Sequence, residues 1–106
     1  SGMETPEPLV IRSYKHLKAF FAKINRTRKP GLPLPEVDFS QETVLVYCGG
    51  VTKASLKPIL TLVKATDSTF FVHPEMVKRE KGSSENIVTP FSLYTLPVTE
   101  KEIIFQ

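Results

Sequence analysis

The chain has no tryptophan, one cysteine and two histidines among its 106 residues. One cysteine cannot form an internal disulfide, nor by itself a cysteine-based zinc site. Neither His16 nor His73 has a second histidine, a cysteine or a carboxylate at metal-ligand spacing, so the sequence offers no metal site and no cofactor motif. Glycine is scarce, and the one pair, Gly49 and Gly50, lacks the lysine and hydroxyl residue of a phosphate loop. No apolar run approaches the roughly 20 residues that a membrane-spanning helix needs.

The most telling absence is of negative charge. Between Pro8 and Pro35 there is no Asp or Glu, while Arg12, Lys15, Lys18, Lys23, Arg26, Arg28 and Lys29 fall there, half of the 14 basic residues. The net charge is only +3, so the asymmetry is local. Such a segment reads either as a solvated helix face with a basic loop, or as a surface for an acidic partner, an anionic membrane or nucleic acid. Within it Lys15, Lys23, Arg26, Arg28 and Lys29 are the candidate partner-binding residues.

What is present reads as one domain over residues 9–106, preceded by a tag remnant and proline-bounded lead-in over 1–8. Residues 9–12 are a short strand. Ser13 is an N-cap without the acidic partner of a capping box, since His16 stands three residues on. Over residues 14–25, Tyr14, Leu17, Phe20, Phe21 and Ile24 recur at helical spacing as one apolar stripe. Pro30, Gly31, Pro33 and Pro35 then exclude regular structure and give a stiff connector; the reading of this stretch as a polyproline ligand is the weaker one.

From residue 36 the texture changes to strands. Residues 43–48 are apolar on both faces, the mark of a central strand. Residues 59–65 and 69–73 form a hairpin around Thr66, Asp67 and Ser68. Residues 75–85 are rich in mixed charge, with a mobile loop at 82–84, and residues 91–96 and 102–105 supply the last strands. The expected fold is α+β: one N-terminal amphipathic helix packed on a curled antiparallel sheet, as a small sandwich or partial barrel.

Weighed singly, the reactive residue types give no catalytic constellation. Cys48 lies in the doubly apolar strand and reads as a buried, inert thiol. His73 and Glu75 are close in sequence but form only a lone pair. Glu36 and Asp38 have the spacing of an acid–base pair, yet Asp38, Phe39 and Ser40 read better as a turn into the strand, with Val37 or Phe39 anchoring it. Phe70, Phe71, Phe91 and Tyr94 could stack bases beside a basic groove. Phe70 alternates with Val72, however, and Phe91 with Leu93, which is how core faces look, so nucleic acid is the disfavoured partner.

Three stretches carry a family likeness: Ile11, Arg12, Ser13 and Tyr14 entering the helix; Val37, Asp38, Phe39 and Ser40; and Thr43, Val44, Leu45, Val46, Tyr47, Cys48 and Gly49. With the closing Glu102, Ile103, Ile104 and Phe105 they resemble the C-terminal domain family of the protease-complex subunit PrcB, over residues 9–105. The departure is Thr52, Lys53, Ala54 and Ser55, where the family has a Thr-Gly-Gly-Tyr-like run, so nothing tied to that turn carries over. The resemblance implies a non-catalytic accessory domain at the bacterial cell envelope. It implies an export signal or lipid anchor upstream and a protein partner, a surface protease being the example; without such a signal the setting is cytoplasmic. The alternative is a basic-patch binder of nucleic acid or anionic surfaces.

Overall fold

The computed structural model describes residues 4–80 and 84–106. In chain order the elements are β1 (Glu7–Ile11), α1 (Tyr14–Ile24), β2 (Glu42–Cys48), β3 (Thr52–Lys53), β4 (Leu56–Ala65), β5 (Thr69–Lys78), β6 (Ile87–Val88), β7 (Phe91–Pro97) and β8 (Glu102–Phe105). They form two three-stranded sheets, β1-β2-β7 and β4-β5-β8, and a two-stranded ribbon, β3-β6. The helix lies on the outer face of the first sheet and the second sheet faces the other side. The order is therefore helix, sheet, sheet, with neither sheet closed into a barrel.

The helix begins where the Ser13 hydroxyl accepts the His16 amide at 3.2 Å, satisfying one of the first-turn donors that have no partner within the helix. Leu17, Phe20, Phe21 and Ile24 are buried against Ile11, Val44, Val46 and Cys48. Tyr14, expected in the same stripe, is 55% exposed, so the buried stripe starts one turn later, at Leu17. Phe20, Phe21 and Phe91 make three edge-to-face contacts with centroids 5.4–6.1 Å apart, an arrangement in which the positive edge of each ring meets the negative face of another.

β2 is the central strand its two apolar faces require, pairing antiparallel with β1 and β7. Period-two alternation turns Val44, Val46 and Cys48 to the helix and Leu45 and Tyr47 to the second sheet. The strand is entered through the Asp38 turn: one Asp38 carboxylate oxygen accepts the Ser40 hydroxyl at 2.6 Å and the Ser40 amide at 3.0 Å. These two bonds hold the Asp38 carboxyl below its ordinary pKa. Leu34, Val37 and Phe39 all pack on the core, so the connector is anchored at three points. Asn25 fixes its start, exchanging hydrogen bonds with Leu32 at 2.8 and 2.9 Å. β2 ends at Cys48, and two residues on Gly50 has a φ of 71°, the left-handed conformation that favours glycine.

Three expectations are corrected. The sheets are not wholly antiparallel: β8 pairs with β5 in parallel. The chain leaves β5, contributes β6 and β7 elsewhere and returns, and such a crossover can close a parallel pair where a hairpin cannot. β5 does not end before Pro74 but runs to Lys78, so the mixed-charge segment starts inside a strand. Pro74 is tolerated because it stands opposite Leu60, whose amide is directed away from β5, to the Tyr94 hydroxyl. The proline's missing donor is therefore not needed by the β4-β5 ladder. β4 likewise starts earlier than residue 59, at Leu56. The β3-β6 ribbon has no counterpart in the sequence reading. The loop expected at 82–84 and residues 1–3, expected to be a tag remnant, fall, but for Ser84, outside the described residues.

Candidate functional site

The five basic candidates do not form one surface. Lys15 and Lys23 are both exposed on α1 but stand eight residues apart, about 12 Å along the axis. Lys23, Arg26 and Arg28 meet at the C-terminal end of the helix, around a small pocket that Glu4 and Thr89 also line. Lys29 is exposed beyond it. Among the described residues no carboxylate lies within ion-pair distance of Lys15, Lys23, Arg26 or Lys29. The ion pair found joins Lys53 and Glu85 at 3.1 Å.

Arg28 differs from the other four. One of its guanidinium nitrogens donates to the Ile24 carbonyl at 3.0 Å and another to the Thr89 carbonyl at 3.3 Å, and the group lies over the Phe91 ring at 5.4 Å. It caps one of the free carbonyls at the helix end and ties that end to the segment entering β7. Its charge is thus engaged inside the domain, whereas those of Lys15, Lys23, Arg26 and Lys29 face solvent.

The reactive residues are dispersed. Cys48 is 2% exposed, and burial, followed by the nearby Glu7 charge, pushes its thiol pKa up despite the opposing field of Lys23. A thiol held protonated in an apolar wall is a poor nucleophile. His16 is exposed on the helix. His73 lies within β5, its Nδ1 at 2.6 Å from the Gln106 main-chain oxygen, on the side of the second sheet away from the first. Among the described residues no three His, Cys, Asp or Glu side chains converge as a metal site would require.

The feature that sequence reasoning missed is an apolar cleft of about 470 Å³ between the two sheets, within the range of about 300–1,000 Å³ typical of ligand sites. Leu45, Tyr94 and Leu96 line it from the first sheet, and Leu60, Leu62, Phe70, Val72 and Ile103 from the second; residues 97–99 form its rim. Among the described residues the hydroxyls of Tyr94 and Thr99 are its polar side-chain groups; Thr95, alternating with Tyr94 and Leu96, turns its side chain to the helix side. The cleft exists because the sheets meet where Tyr94 reaches the Leu60 amide, at 3.4 Å, and separate beyond that point. Leu62 and Val98, at the open end, are 58% and 52% exposed. Two cations stand beside it: Lys101 over the Phe70 ring at 4.8 Å, and Arg12, donating to the Thr99 carbonyl at 3.4 Å. The alternation of Phe70 with Val72 did mark a face turned to the interior, but not that the two interior faces part to leave a cleft.

No family model, curated protein or solved structure matches the chain.

Proposed function

We propose that this chain is a non-catalytic binding domain, an accessory module that acts through a protein partner, and that the partner docks in the cleft between the two sheets. The observation that carries the reading is the cleft itself: a concave apolar surface, open at one end, lined among the described residues by two hydroxyls and no carboxylate, imidazole, amine or thiol. Such a surface can bury apolar side chains of a partner but offers no group for proton transfer or covalent chemistry. The resemblance of residues 9–105 to the PrcB C-terminal domain family supports an accessory role. It also suggests a setting at the bacterial cell envelope, with a surface protease as one partner of that kind.

The second reading is a polyanion-binding surface made by Lys15, Lys23, Arg26 and Lys29, and the unpaired state of these four charges favours it. The two readings separate by salt dependence, because charge neutralisation on nucleic acid releases counterions and apolar docking does not. Affinity capture from source-cell extracts, with nuclease treatment and a salt series, tests the choice. A defined protein retained after nuclease and in 0.5 M salt is the expected result, taking ~0.5 M as well above the screening range of surface charges. Retention that disappears with nuclease or with modest salt overturns the cleft reading in favour of the basic surface.

A further inference from the structure

We propose that the partner enters the cleft as an extended segment that adds a strand to the free edge of β4. This rests on the cleft being the docking site and goes beyond it by naming what the cleft reads: a backbone edge together with side chains at every second position.

β4 is ten residues long and is an outer strand of its sheet. Such an edge presents a row of unpaired amides and carbonyls, a template that folded proteins normally guard with Pro, Lys or a bulge. β4 has these guards at its ends, Pro58 near the start and Lys64 with a bulge between Leu62 and Lys64. Leu62 and Val63 stand at that bulge and are 58% and 57% exposed. Since the Leu60 amide is held by Tyr94, the edge offers the Leu62 amide and the outward carbonyls of Leu60 and Leu62. The direction of the edge donors follows from the register. Leu60 stands opposite Pro74, which has no amide, and Leu62 opposite Val72, whose carbonyl accepts Gln106 from the β8 side. The Leu60 and Leu62 amides therefore point away from β5, as the Leu60 bond to Tyr94 shows directly.

Apolar cleft and polar edge together select the occupant. An acyl chain or a packed helix face covering this end would remove water from the Leu62 amide and supply no acceptor, leaving a buried donor unpaired. An extended peptide supplies carbonyls to the edge and apolar side chains to Leu45, Leu62, Leu96 and Val98 on alternate residues, which is the chemistry of strand addition. The neighbouring side of the cleft is β7, also an outer strand, so the added segment would lie between two sheet edges.

The test selects a displayed library of random decapeptides on the intact chain. The tightest binder is then synthesised with single N-methyl groups along its backbone. The expected result is a loss of tenfold or more at every second residue and little change between them. Leu62→Pro, which removes an edge donor without removing a bond to β5, should weaken the unmodified peptide by a similar factor. On the unaltered chain, which does not depend on how that variant folds, bound peptide should slow hydrogen exchange at the Leu62 amide. Peptides that are weakened by Val98→Asp but show neither alternation nor slowed exchange overturn strand addition and leave the cleft reading standing. A selection that yields no binders, or only binders insensitive to Val98→Asp, overturns both. Sedimentation showing a dimer broken by Leu62→Pro replaces the foreign segment by a second copy and likewise overturns the proposal.

Discussion

Arg26 and Arg28 are two residues apart in one basic segment, and their different surroundings show how far charge counting reaches. Arg28 makes two hydrogen bonds to main-chain carbonyls and covers an aromatic ring, whereas Arg26 faces solvent. Arg28→Ala is expected to lower unfolding stability by roughly 1–2 kcal/mol, as charged hydrogen bonds and a cation–ring contact are lost. Arg26→Ala should stay within about 0.5 kcal/mol; urea denaturation of the two variants checks the contrast. Asp38 gives a sharper local test. Its lowered pKa comes first from the Ser40 hydroxyl and then from the Ser40 amide. A depressed carboxyl contributes stability above its unfolded pKa and loses it as pH falls through the folded value. Ser40→Ala should therefore move the Asp38 midpoint upward in a carbon-detected NMR titration. At Cys48 the sign is reversed: a raised thiol pKa contributes stability below the unfolded value, lost as pH rises. The native thiol should react with a disulfide reagent at pH 8 at least a hundredfold more slowly than in denaturant. Fast native reaction would contradict the buried placement. The inert character of Cys48 and the turn at Asp38 were legible from residue type and neighbours. The engagement of Arg28 was not, because Thr89 and Phe91 lie more than sixty residues away in sequence.

At the scale of elements, period and polarity carried most of the information. The helix, the central strand and the hairpin around residues 66–68 follow from spacing and turn chemistry. The misreadings follow from rules that hold locally. A proline normally ends a strand, yet β5 passes through Pro74 because the pairing there asks no amide of it. The two-residue strands β3 and β6 are too short to show alternation. Tyr14 keeps the helical phase of the stripe but lies beyond the end of the sheet surface that covers Leu17. The helix is locked to the first sheet through the three-ring contact, so Phe91→Ala should cost about 2 kcal/mol, below the range for a fully buried aromatic because the ring is half-buried. Its thermal transition should fall in temperature, which calorimetry checks.

At the scale of the molecule, the separation of the two sheets matters most for function. The radius of gyration is 14.4 Å and the extents 42 × 28 × 24 Å, against about 13 Å for a compact domain of some 100 residues. The two sheets part at one end, at the cleft, instead of closing over it. No sequence pattern records this, since Leu45, Leu62, Phe70 and Leu96 would read as apolar whether the sheets met or parted. Charge, in contrast, was visible from the start, and it drew attention to the helix face. The measurement that decides between these surfaces compares one captured partner across three forms of the chain. These are the unaltered protein, Leu62→Asp with Val98→Asp, and a form with Lys15, Lys23, Arg26 and Lys29 all changed to Glu. Both altered forms substitute exposed positions, so each should fold. The account predicts that the cleft variant loses the partner by a hundredfold or more in affinity, while the charge-reversed variant binds within a few-fold and changes mainly in association rate. Loss on charge reversal with the cleft variant unaffected would contradict it.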